Sequence, residues 1–158
     1  MRTIIKVVNK NYRTQKDLEN LVGYVLRIKP SDRHHCSCGS FGAGTITAYE
    51  EMVKVQNFYG KTEDRLARHF IVSFDDNYCI DAETAVRLAY RIALYYGSRH
   101  QIIFGVHEDT GNIHIHFVLN TVSFVDGLKF TESPGEFARF KQYVENVINE
   151  YEKILSHY

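Results

Sequence analysis

Three of the chain's eight histidines fall inside one apolar run, "FGVHEDTGNIHIHFVLN", from Phe104 to Asn120. A strand alternates its side chains between two faces, so His114 and His116 share a face while Ile113, Ile115 and Phe117 point the other way. If the run folds back at "EDTGN" with His107 opposite His114, all three imidazoles lie on one side of a hairpin. Gly105 would then face His116 and leave room above the sheet. Directly opposed residues hold their Cβ atoms about 4.5–5.5 Å apart, so the rings are expected to converge. A slip of one residue would turn His107 to the far face. Three neutral imidazoles suit a divalent ion whose remaining positions stay open, and such an ion polarises a phosphoryl or carbonyl oxygen. Asp109 at the turn and Asn120 at the far end are candidates to accept a ring N–H and fix a ligand's tautomer.

The elements that must hold this site are legible from spacing. "RTIIKVVN" (2–9) is short and β-branched, a strand. Residues 14–28 read as a helix: Thr14 caps it, Asp17 follows three residues on, and Leu18, Leu21, Val22, Val25 and Ile28 form one apolar stripe. Pro30 stops it. A Gly/Ser-rich loop, "PSDRHHCSCGSFGAGT", precedes a second helix through "AYEEMVKVQNFYG". "RHFIVSFD" (68–75) reads as a buried strand and residues 81–97 as a helix capped by Asp81. The strand pair 101–107 and 113–120 is followed by a small second hairpin around Asp126-Gly127 and a last helix opened by Ser133, Pro134 and Glu136. Helices and antiparallel strands interspersed in this way predict one α+β domain over residues 1–158: a mainly antiparallel sheet of about five strands with helices packed on one face.

Composition narrows the setting. The chain is 44% hydrophobic and 24% charged, the mixture of a folded globule rather than a disordered chain. No apolar run approaches the length of a membrane span, and no secretory leader is evident. Cys36, Cys38 and Cys79 are too few and odd in number for a disulfide framework, so free thiols in a reducing compartment are expected. Net charge is zero, but residues 1–70 hold 12 Lys+Arg against 7 Asp+Glu. If that half makes one face, its field would attract a phosphate backbone. "HHCSC" (34–38) lacks the second ligand pair of a structural zinc site; Arg33 and His34 in that loop are candidates to touch phosphate.

The pattern His107-x-Asp109-x4-His114-x-His116-x3-Asn120 resembles the metal-binding motif of HUH-type endonucleases, and in this fuller form the relaxases, mobilisation nucleases of plasmids and integrative elements. Tyr24, in "LENLVGYVLR", lies on an early helix, where relaxases carry their nucleophilic tyrosine. "RHFIVSF" resembles the family's middle strand, with His69 and Ser73 at its recurrent polar positions. The resemblance implies an HUH-like fold and a transesterification: the tyrosine oxygen attacks a phosphodiester of single-stranded DNA at an origin of transfer, giving a 5′-phosphotyrosyl link and a free 3′-OH. It implies a divalent metal on His107, His114 and His116, with Mg2+ or Mn2+ first and Zn2+ or Ni2+ as alternatives. It also implies Asp109, Asn120, Ser73 and His69 as supporting or DNA-contacting groups, accessory relaxosome proteins as partners, no membrane, and a bacterial cytoplasmic location.

Chain order separates the branches of that superfamily. Relaxases place the tyrosine before the histidine motif; rolling-circle replication initiators place it after, on a later helix. Tyr24 comes before. Tyr143 and Tyr151 follow on the last helix, where Tyr151 lies on the apolar stripe. Tyr24 ranks first as nucleophile, Tyr143 second and Tyr12 third. The competing readings are an initiator or transposase, a relative that binds single-stranded DNA without cutting it, and an unrelated metallohydrolase that uses water.

Overall fold

The histidine-bearing hairpin lies at the centre of the sheet, in the register the spacing demands. The computed structural model describes residues 3–27, 37–75, 80–108 and 112–156. Strand β4 (Ile102–His107) pairs with β5 (His114–Asn120) antiparallel, placing His107 opposite His114 and Gly105 opposite His116. β3 (Ala67–Phe74) pairs with the other edge of β5, with Ile71 opposite His116 and Ser73 opposite His114. β1 (Thr3–Val7) flanks β3, and β2 (Cys38–Phe41) flanks β4, so the order is β1-β3-β5-β4-β2 and every pairing is antiparallel. The class is the expected α+β, with a five-stranded sheet and the helices α1 (Gln15–Leu26), α2 (Ala48–Phe58), α3 (Ala82–Gly97) and α4 (Pro134–Ser156).

The helices cover both faces rather than one. Phe70, Val72, Phe104, Ile115 and Phe117 pack under α3 and α4, against Leu88, Ile92, Phe140 and Val144. On the opposite face, Ile103 and Val118 pack against Leu18, Val22 and Val25 of α1 and Met52 of α2. The face that carries the histidines is therefore not open along its whole length. Its half toward Asn120 bears aliphatic side chains, and burying each large one contributes about 1.5–3 kcal/mol, so that half demands a cover.

Two elements differ from the sequence expectation. β2 forms inside the stretch read as loop, because β4 has an unpaired edge and Gly39 accepts a position where a Cβ would meet Phe104 and Tyr90 at 2.5 Å. The second hairpin reduces to a single bridge, Val122 to Lys129, around Gly127 at φ 73°. Cys38 is disulfide-bonded, against the expectation of free thiols. Cys36 and Cys79 lie outside the described residues, as do Arg33, His34 and Asp109.

Candidate active site

Helix α1 carries the candidate tyrosine to the histidines, and its ends explain how. Thr14 and Asp17 close a capping box, the Thr14 side chain accepting from the Asp17 N–H at 3.0 Å and the Asp17 carboxylate from the Thr14 N–H at 3.1 Å. Leu18, Leu21, Val22, Val25 and Leu26 are buried on one side. The helix ends at Arg27 in the left-handed region, φ 47°. Tyr24 lies beside that stripe and is half exposed.

The docking point is Gly105. A Cβ there would lie 1.9 Å from the Val25 carbonyl oxygen, so helix backbone rests directly on the strand. The space expected above Gly105 is thus filled by α1. Val25 O also accepts a hydrogen bond from His107 Nε2–H at 2.9 Å. A carbonyl can only accept, so this contact sets the neutral His107 ring to the Nε2–H tautomer.

From that anchor Tyr24 reaches the imidazoles. Its ring meets His107 edge-on at 5.4 Å between centroids and His116 at 5.5 Å, with interplanar angles of 87° and 89°. The His107 and His116 rings are 4.1 Å apart. The Arg27 guanidinium carbon lies 5.7 Å from the Tyr24 ring centroid, close enough to place a fixed positive charge beside the phenol.

Behind His116 lies His69. His69 Nε2 is 3.1 Å from His116 Nδ1, and His69 Nδ1 is 3.0 Å from the Tyr12 hydroxyl. Burial holds the His116 imidazolium form down to a pKa of about 3, helped by His107, His69, His114 and Arg27. Burial likewise lowers His69 to about 4, with His107 and Lys10 adding to it. Both rings are therefore neutral near pH 7, the form in which an imidazole binds metal.

The other candidates fall as follows. His114 lies beside Ser73 across the β3–β5 pairing, and the Ser73 hydroxyl is 3.5 Å from Ile4 O. Asn120 does not reach the histidines. It is fully buried at the far end of β5, donating to Met52 O at 3.2 Å and Gln101 Oε1 at 2.9 Å while accepting from Gln56 at 3.1 Å and Val122 N–H at 3.0 Å. Its four bonds tie α2 to the sheet. Tyr143 donates to Arg91 O at 2.6 Å and packs on Tyr95, and Tyr151 packs in the same α3–α4 layer. Both sit in the α3–α4 layer, across the sheet from the histidines.

Among the described residues, no group of three His, Cys, Asp or Glu side chains is already gathered around one point. The expected convergence is incomplete because His107 turns Nε2 to Val25 and His116 turns Nδ1 to His69. The donor set still suits a divalent ion. The imidazoles of His107, His114 and His116 lie on the same face of the sheet, and with Nδ1 engaged by His69 the His116 ring has Nε2 to offer an ion.

Beside the site opens a cleft of about 510 Å³ lined by Lys10, Asn11, Tyr12, Asn20, Tyr24, His69 and His116, among others. Lys10 and Asn11 on a connecting segment and Asn20 on the polar side of α1 carried no signal in the sequence, since such polar residues look alike until the fold assembles them. The cleft walls come largely from the first 70 residues, with Lys10 and Asp17 as their charged side chains.

The fold and this site define a class, and comparison agrees: residues 24–153 match the family described as "Relaxase: MobA/VirD2-like, nuclease domain". The chain belongs to that family. It is similar to two Escherichia coli proteins called Protein TraI, each 30% identical over 112 residues. Those residues are 68% of this chain but 15% of either relative, so the chain spans a small part of their length. No helix among the described residues is long and apolar enough to cross a membrane.

Proposed function

We propose that this chain nicks single-stranded DNA at an origin of transfer by tyrosine transesterification. The observation that carries the reading is Tyr24 placed edge-on to both His107 and His116 beside a polar cleft that Lys10, Asn11 and Asn20 help to line. The Tyr24 hydroxyl oxygen attacks the scissile phosphorus. Its bond to phosphorus forms as the bond to the 3′ oxygen breaks. The phenol gives up its proton, the departing oxygen gains one, and the products are a 5′-phosphotyrosyl link and a 3′-OH.

His107, His114 and His116 would hold the divalent ion, Mg2+ or Mn2+ by preference, which would supply Lewis-acid polarisation of the phosphate. The chain's own groups do the rest. The Arg27 guanidinium, 5.7 Å from the Tyr24 ring centroid, places a positive charge where the negatively charged strand must approach. The Val25 carbonyl holds His107 in one tautomer, and α1 holds Tyr24 edge-on to the imidazoles. Lys10, with Asn11 and Asn20, receives the backbone of the strand in the cleft. Accessory proteins of a relaxosome fit as partners of such a domain, and the bacterial cytoplasm as its location.

The test is incubation with single-stranded oligonucleotides and Mn2+, followed by a denaturing gel. A covalent protein–DNA species is expected, absent in Tyr24→Phe and retained in Tyr143→Phe. Adduct from Tyr24→Phe would overturn the assignment of the nucleophile. Salt-sensitive binding with no adduct from the unaltered chain would leave only a DNA-binding relative.

A further inference from the structure

Tyr12, His69 and His116 form one line of hydrogen bonds that runs from the cleft to a proposed metal ligand. The contacts are 3.0 Å from the Tyr12 hydroxyl to His69 Nδ1 and 3.1 Å from His69 Nε2 to His116 Nδ1. With neutral rings such a line has two directions. In one, Tyr12 donates to His69, His69 Nε2–H donates to His116, and His116 keeps its proton on Nε2. In the other, His116 Nδ1–H donates to His69 Nε2, His69 Nδ1–H donates to the Tyr12 oxygen, and the Tyr12 hydroxyl proton points elsewhere. Both directions hold the same number of protons, so the choice changes no charge.

Resting on the reading of His116 as a metal ligand, we infer that metal binding selects the second direction and turns Tyr12 into a hydrogen-bond donor to the DNA strand in the cleft. The reason is geometric. His116 Nδ1 is engaged with His69, so Nε2 is the nitrogen left for an ion, and a neutral imidazole that coordinates through Nε2 carries its proton on Nδ1. That proton must be donated to His69 Nε2, which forces the His69 proton onto Nδ1. Tyr12 then accepts from His69, and its own O–H is directed to what the cleft holds. Tyr12 and His69 both line the cleft beside Lys10, Asn11 and Tyr24. Tyr12 is 9% exposed as a residue and packs in one cluster with Leu18 and Leu21, which fixes the hydroxyl in place. His69 is thus a positioning residue, and Tyr12 a substrate-contacting one. Metal and DNA become linked through it, each strengthening the other's binding by the same factor.

The experiment pairs a spectroscopic readout with a binding one. Histidine 15N spectra of the full chain are recorded with and without Zn2+ alone, a diamagnetic ion that imidazoles bind. His69 and His116 are both expected as Nδ1–H tautomers in the zinc-loaded chain. Affinity for a single-stranded oligonucleotide is then measured with and without Zn2+ in the unaltered chain and in Tyr12→Phe, which keeps the packed ring. The gain in DNA affinity on adding zinc is expected to shrink roughly 3- to 10-fold in Tyr12→Phe, the worth of one neutral hydrogen bond. A zinc-loaded His69 that keeps its proton on Nε2 overturns the inference, and so does an unchanged gain in Tyr12→Phe. A His116 signal that zinc leaves unmoved overturns the metal reading beneath it as well, which separates the two failures.

Discussion

Replacing Gly105 by alanine tests the contact that sets the nucleophile. The added Cβ would sit 1.9 Å from the Val25 carbonyl oxygen and 2.9 Å from its carbon. Carbon and oxygen approach no closer than about 3.3 Å even in favourable C–H···O contacts, so α1 must lift by more than about 1 Å at its C-terminal end. Tyr24 is the residue next to Val25 and lifts with it. The His107–Val25 hydrogen bond is lost, at about 1 kcal/mol, and forced overpacking of this kind costs about 1–3 kcal/mol. A displacement of about 1 Å in a reacting group lowers rate about 100-fold. The assay is single-turnover formation of the covalent adduct with saturating oligonucleotide and Mn2+, alongside thermal unfolding. Gly23→Ala is the matched control, since a Cβ there meets nothing within 4 Å on the same helix; it should leave the rate intact and stabilise α1 by about 0.5–1 kcal/mol. An adduct rate for Gly105→Ala within threefold of the unaltered chain, at an unchanged melting temperature, would refute the docking of α1 on the strand.

Asn120→Ala removes the partner of Met52 O, Gln101, Gln56 and Val122 N–H, and should cost about 2–3 kcal/mol in urea unfolding while metal affinity of the folded protein stays the same. Stability should fall as pH drops below about 6.5, the ordinary histidine value. Burial lowers His116 to about 3 and His69 to about 4, and it lowers His100 as well, so between those values the unfolded chain binds more protons than the folded one. A melting temperature that is flat from pH 7 to 4.5 would contradict this. Lys10→Gln should weaken oligonucleotide binding and reduce the slope of log affinity against log salt by about 0.7, and an unchanged slope would remove Lys10 from the DNA path.

Much of the site was legible because its rules are local. Alternation along five residues, from Ile113 to Phe117, suffices to put His114 and His116 on one face, and the turn residues of "EDTGN" suffice to predict a hairpin, whose observed register brings His107 opposite His114. Capping at Thr14 and the stripe from Leu18 to Val25 define α1 within one or two residues. β2 was not legible, since "CGSF" is short and its Gly is depleted in strands, so it forms because β4 offers an edge. The placement of Asn120 was misjudged for a related reason. Sequence proximity to the histidines suggested their company, but the strand carries the residue away from them into a polar hub with α2.

Short-range pattern alone determined the hairpin, the face shared by His114 and His116 and the helix that bears Tyr24, while the register that brings His107 opposite His114 is read from the structure. The tertiary structure decided everything that joins residues far apart in the chain: Val25 resting on Gly105 and holding His107 across 82 residues, His69 behind His116 across 47, and Tyr12 behind His69 across 57. The division has one physical cause. Periodicity and capping are set by neighbours along the backbone, whereas the side of the sheet on which an amphipathic helix lands is settled by which apolar face remains to be covered. Here that face was Ile103 and Val118, and covering them laid α1 beside the imidazoles.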